Sequence, residues 1–87
     1  MQRLKARTID QALAADGHSS SEFAAGDWDP GYRTAQSGPR RVLVFHDGPG
    51  EEQRITAYGA TLQETGYTVQ HEQQEHGGRH RLVVTRP

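Results

Sequence analysis

The chain has no cysteine among its 87 residues. That excludes disulfides, thiolate zinc sites and a cysteine nucleophile, and it fits a reducing compartment such as the cytoplasm. Large apolar side chains are scarce: Leu, Ile, Val and Phe together number 14. So low a share raises disorder, but the disorder signature also requires high net charge. Ten basic and eleven acidic side chains leave a formal charge of −1, so the chain is lean in core without repelling itself. No apolar run approaches the ~18–20 residues of a membrane span, and no apolar stretch follows the first residues as in a secretory signal. At roughly 100–200 residues per domain, the length allows one domain and no second core.

What apolar character there is falls into four clusters: Leu4 to Leu13, Val42 to Phe45, Ile55 to Val69, and Leu82 to Val84. The first predicts a helix over most of 2–16, with Gly17 as its stop. Thr8 and Gln11 have capping-box spacing, which would start the regular helix at Ile9 and leave Met1 to Arg7 as a basic arm. Residues 18–30 are rich in Ser, Gly, Asp and Pro and predict mainly loop. Within them, Ser19 and Glu22 have the spacing of a second capping box, and Ser19 to Phe23 alternatively reads as a strand. Asp29-Pro30-Gly31 suits a type II turn, with Gly supplying positive φ at the third position.

Val42 to Phe45 is a continuous apolar run too short for a helix, so it predicts a strand over 41–46 covered on both faces. Tyr32 to Gln36 predicts its neighbour, over 31–36. Pro49 suits the first position of a helix, and Glu51 and Glu52 complement its positive end. Ile55, Tyr58 and Leu62 share one face of that helix, which runs over 50–65 and stops at Gly66. The last cluster predicts a hairpin with strands near 67–75 and 79–86. A two-residue primed turn at Gly77-Gly78 would set Gln73 opposite Leu82 and Glu75 opposite His80. It also puts Tyr67, Val69, Leu82 and Val84 on one face and Thr68, Gln70, Glu72, Arg79 and Arg81 on the other.

The fold class is therefore α+β: two helices packed on one face of a mostly antiparallel four-stranded sheet, in the order α-β-β-α-β-β. Its core should contain Leu13, Val42, Val44, Ile55, Tyr58, Leu62, Val69, Leu82 and Val84.

Five histidines suggest metal, and the predicted hairpin argues against it. With His80 opposite Glu75, four residues from His71, a rise of ~3.3 Å per residue anchors the two imidazoles ~13 Å apart. No metal, cofactor or catalytic residue is therefore expected. Asp47-Gly48-Pro49-Gly50 lies between strand and helix but matches neither phosphate-loop nor dinucleotide spacing. No serine sits in Gly-x-Ser-x-Gly. His46 and Asp47 are adjacent, and adjacency alone does not give hydrogen-bond geometry.

The basic residues point elsewhere. Arg40 and Arg41 open the central strand, and Arg79 and Arg81 share the polar hairpin face with Thr68, Gln70 and Gln74. Such donors suit phosphate and base contacts, so these four arginines are the candidate nucleic-acid contacts. With no global positive field, such binding would be local and salt-sensitive. The first function expected is a small non-enzymatic nucleic-acid-binding or regulatory protein. The alternative is a protein-interaction module (an adaptor, inhibitor or homodimer) that uses edge strands and Trp28. Trp28, the only tryptophan, is expected to fold over the core with Asp27 and Asp29 in water. If exposed, it would be an anchor for a partner.

Leu13-x-x-x-Gly17-His18, the run Arg41-Val42-Leu43-Val44-Phe45-His46 and a helix ending in Leu62-x-x-x-Gly66 resemble the order of elements in the HicA toxin family. The resemblance covers about residues 8–66 and implies the double-stranded-RNA-binding fold. Members of that family cleave RNA with a histidine after Gly-Ser in the second strand. Here Pro30-Gly31-Tyr32-Arg33 stands in that place, so no catalytic residue carries over. The resemblance implies an RNA-binding or decoy scaffold.

Overall fold

Four consecutive apolar residues make Arg41–Asp47 the strand around which the sheet is assembled. The computed structural model describes residues 3–24, 27–75 and 78–86, without the side chains of 22–28. Along the chain lie α1 (Ala6–Ala15), β1 (Glu22–Ala24), β2 (Asp27–Asp29), β3 (Gly31–Gly38), β4 (Arg41–Asp47), α2 (Glu51–Thr65), β5 (Thr68–Gln73) and β6 (His80–Thr85). β3, β4, β6 and β5, in that spatial order, form a four-stranded antiparallel sheet. The α+β class and the order of the two helices and four sheet strands agree with the sequence reading.

The segment 18–30 departs from it. β1 and β2 pair as a separate two-stranded ribbon, with Phe23 opposite Trp28. Asp29-Pro30-Gly31 is not the expected glycine turn, because Gly31 is absent from the positive-φ glycines and already begins β3. Its lack of a side chain serves close approach instead. Ser20 forms a parallel bridge to Tyr32, flanked by Tyr32 N–H to Ser19 O (2.9 Å) and Ser21 N–H to Tyr32 O (2.8 Å). A Cβ on Gly31 would stand 2.3 Å from Ser19 O.

α1 starts four residues later than the predicted position 2, because residues 3–5 are used otherwise. Leu4 donates its N–H to Pro39 O at 2.9 Å, in the turn between β3 and β4. The Gln36 side chain donates to Leu4 O (2.6 Å) and accepts from Ala6 N–H (2.8 Å). Leu4 is fully buried by this arrangement. With Ile9 and Tyr32 it joins the expected core residues Leu13, Val42, Val44, Ile55, Tyr58, Leu62, Leu82 and Val84. Val69 is only half-buried, as befits a residue on the edge strand β5.

α2 ends as expected. Gly66 takes a left-handed conformation (φ 107°), and Tyr67 N–H bonds back to Leu62 O at 3.0 Å. Pro49 precedes the N-cap Gly50 and is not in the first helical turn. In the middle of α2, Gly59 has room for a methyl group, with Val69 and Leu82 carbons 3.6–3.7 Å from an added Cβ. Since glycine inside a helix costs about 0.5–1 kcal/mol against alanine, Gly59→Ala should stabilise the protein by up to that amount. Chemical denaturation with an unchanged slope checks it.

The hairpin corrects the predicted register by two residues. Val69 faces Val84, His71 faces Leu82 and Gln73 faces His80. Gln74 N–H bonds to Arg79 O and Gly78 N–H to Gln74 O, both at 3.1 Å. The connection is thus four residues, 75–78, and not a two-residue turn; Gly77 itself lies outside the described residues. A shift of two leaves every side chain on its expected face, so hydrophobic sorting could not detect it.

Candidate nucleic-acid interface

Two of the four candidate arginines are engaged inside the protein. Arg79 reaches from the hairpin to the end of β4, donating to His46 O and to Asp47 Oδ1 (3.1 Å). It also lies 3.4 Å from Glu51 Oε2. Arg33 bonds the other Asp47 oxygen at 3.0 Å. Arg81 is held by Glu72, its direct cross-strand partner, at 3.0 Å. These pairs place a carboxylate where a phosphate would have to sit, so Arg79 and Arg81 act as cross-links between elements.

Burial pushes the Asp47 carboxyl up, but the hydrogen bonds from Arg79 and Arg33 outweigh it and hold the group below the ordinary carboxylate range. The bond to Asp47 likewise raises Arg79. A depressed folded-state value contributes stability that is fully present above the unfolded value, near pH 4, and is lost as pH falls through the folded value. Both arginines are half-exposed, so solvent screens the interaction. Asp47→Asn should cost about 1–2 kcal/mol at neutral pH. In acid titrations followed by denaturation, the gap between variant and parent should narrow below about pH 4.

Arg40 and Arg41 are exposed at the opposite end of β4. The Leu4–Pro39 bond and the Gln36 clamp bring Arg3 and Lys5 to this same turn, with Arg7 in the first turn of α1. Arg41 pairs with Thr85, which places Arg86 beside the same end. All six cations are exposed, and among the described residues none forms a salt bridge. Asp47, paired with Arg33 and Arg79, lies at the other end of β4, about 20 Å from Arg41 at ~3.3 Å per residue. A net charge of −1 therefore conceals a local cluster of cations that form no salt bridge among the described residues. The sequence shows Arg40, Arg41 and the basic arm to Arg7 separately, but not that they meet, because a hydrogen bond between residues 4 and 39 leaves no local pattern.

Comparison with protein-family models, curated proteins and solved structures finds no match.

A second polar site was also illegible in the sequence. A cleft of about 230 Å³ is lined by His18, His46, Arg54, Tyr58, Gly31 and Pro49, among others. His46 is buried, with Nε2 3.0 Å from Pro49 O and Nδ1 2.7 Å from the Tyr58 hydroxyl. A carbonyl only accepts, so Nε2 carries the proton and Nδ1 of the neutral ring accepts from Tyr58. Burial pushes the Tyr58 hydroxyl above its ordinary value and keeps that donor protonated. Behind His18, Thr61 donates to Asp16 Oδ2 at 2.6 Å, so His18 Nε2, 2.9 Å from Thr61 Oγ1, donates in turn. His46 and Asp47 are neighbours in sequence only: one meets Tyr58 and the other meets Arg33 and Arg79.

Among the described residues, no three metal-ligating side chains converge. The distance argument against a shared ion at His71 and His80 nevertheless fails, because the corrected register makes them diagonal neighbours. The Glu75–His80 pairing fails with it, since His80 faces Gln73. Trp28 lies in β2 opposite Phe23, but its side chain is outside the described residues, and so are both expectations for its ring.

Proposed function

We propose that this protein binds nucleic acid through its basic end, using Arg3, Lys5, Arg7, Arg40, Arg41 and Arg86 against the phosphate backbone. The observation that carries the reading is the tie between Leu4 and Pro39, which joins two basic clusters more than thirty residues apart into one surface. Long exposed cations without carboxylate partners are suited to displacing counterions from a polyanion. Phosphate contacts position a protein without reading sequence, so binding should discriminate weakly among sequences. Arg40 and Arg41 keep their proposed role, while Arg79 and Arg81 leave the interface for the ion pairs described above. The likeness to the HicA pattern adds RNA to the candidate ligands, and a cytoplasmic setting belongs to the same proposal.

The protein-interaction reading has its own support. In it, both helices cover the sheet face carrying Val42, Val44, Leu82 and Val84. Leu43 and Val83, paired across β4 and β6, then stand half-buried on the other face, near Phe45. A homodimer through that face or through an edge strand would use these residues and, on the ribbon, Trp28.

An NMR titration with short RNA and DNA duplexes separates the two. Binding at the basic end predicts shifts clustered on residues 3–7, 38–41 and 86 that vanish at high salt. Shifts centred on 79–81, or no shifts together with concentration-dependent sedimentation, would overturn the proposal, the latter in favour of self-association.

A further inference from the structure

We infer that His71 and His80 form a two-imidazole site for a late first-row divalent cation, Cu²⁺ or Ni²⁺ ahead of Zn²⁺. The two residues sit diagonally across β5 and β6, each beside the other's direct partner. Diagonal side chains on one face of an antiparallel pair are within reach of one another when they are aromatic or long. Here the rings lie 5.0 Å apart between centroids, at 63°. His71 Nε2 stands 2.9 Å from His80 Nδ1.

That separation is the one an ion needs. Two nitrogens bonded at ~2.0–2.1 Å to one metal stand about 2.9 Å apart at a right angle and about 3.4 Å apart at the tetrahedral angle. The site is therefore preorganised for a square-planar or octahedral ion, with a small opening for a tetrahedral one. Imidazole suits copper, nickel and zinc, and the divalent order of affinity places copper first. At present one ring donates its N–H to the other. Coordination requires both facing nitrogens to be bare. The donating ring accordingly moves its proton to its outer nitrogen, a tautomer change that leaves a neutral pair with the same number of protons. The ion itself sits off the line between the nitrogens, which a tilt of the two rings allows. His71 is exposed and His80 half-buried, so water can complete the coordination sphere. The Glu51 carboxylate accepts from the His80 backbone N–H and fixes the start of β6. An ion held here would fasten β5, an edge strand, to β6.

The test uses the full ¹⁵N-labelled chain and substoichiometric CuCl₂. Paramagnetic broadening should begin at the amides of residues 70–73 and 80–82, ahead of those near His18 and His46. His71→Gln and His80→Gln should each preserve the fold's spectrum and remove that early broadening. ZnCl₂ should raise the thermal midpoint of the parent protein and leave that of the double variant unmoved, as expected for a ligand that binds only the native state. Broadening that starts elsewhere, or that persists in the double variant, would overturn the inference. So would an absence of broadening in excess CuCl₂, which would leave the two histidines as a cross-strand hydrogen bond only.

Discussion

Gly31→Ala should cost about 2–4 kcal/mol, a large effect for the addition of one methyl group. The new Cβ would meet Ser19 O at 2.3 Å, Ser20 C at 2.5 Å and Ser20 O at 2.7 Å. All three are backbone atoms, so no side chain can swing aside. Either residues 19–21 lift from β3 or the start of β3 shifts. Both movements break the Tyr32–Ser19 and Ser21–Tyr32 hydrogen bonds. His18, one residue before this crossing and bonded to Thr61, would be displaced as well. Urea denaturation gives the cost, and amide exchange should show Tyr32 losing protection. A variant within about 0.5 kcal/mol of the parent, with Tyr32 still protected, would mean that this segment does not rest on β3.

Leu62→Ala is expected to cost about 2–5 kcal/mol. Leu62 is fully buried in a core of eleven residues among those described. The cavity left by its removal adds to the lost transfer energy, because a close-packed interior relaxes only partly. Domains of this size have about 5–15 kcal/mol in hand, so the variant should lie close to the limit of folding. Its thermal midpoint should fall by about 10–30 °C. A loss below about 1 kcal/mol would mean that the buried face of α2 has been misassigned.

How far the fold was legible follows from the kind of signal each element carries. Ile55, Tyr58 and Leu62 announce α2 by helical spacing, and Gly66 announces its end. Val42 to Phe45 announces the central strand by continuity alone. Leu4 misled because its partners are Pro39 and Gln36, so residues 3–5 stay out of the helix and Lys5 is extended, although their composition suits a helix. Gly31 misled in a different way: its neighbours suggested a turn, while the actual demand came from Ser19 and Ser20 passing overhead. The hairpin register was two residues out because alternation of side chains has a period of two. The observed register brings His71, expected ~13 Å away, to hydrogen-bond distance of His80. Of the candidate arginines, Arg79 and Arg81 looked free in sequence, because their carboxylate partners Asp47 and Glu72 are joined to them only by the folded sheet.

Binding through the basic end is tested most directly by its salt dependence. Affinity for a short duplex, measured by fluorescence anisotropy between 50 and 200 mM salt, should fall linearly on logarithmic axes. About four to five phosphate contacts predict a slope near −4, at roughly −0.9 for each phosphate neutralised. Lys5→Glu combined with Arg41→Glu should flatten the slope by about two and weaken binding throughout, whereas Arg81→Gln should leave the slope unchanged. A slope near zero for the parent protein, or one that responds to Arg81 and not to Lys5 and Arg41, would contradict binding through the basic end.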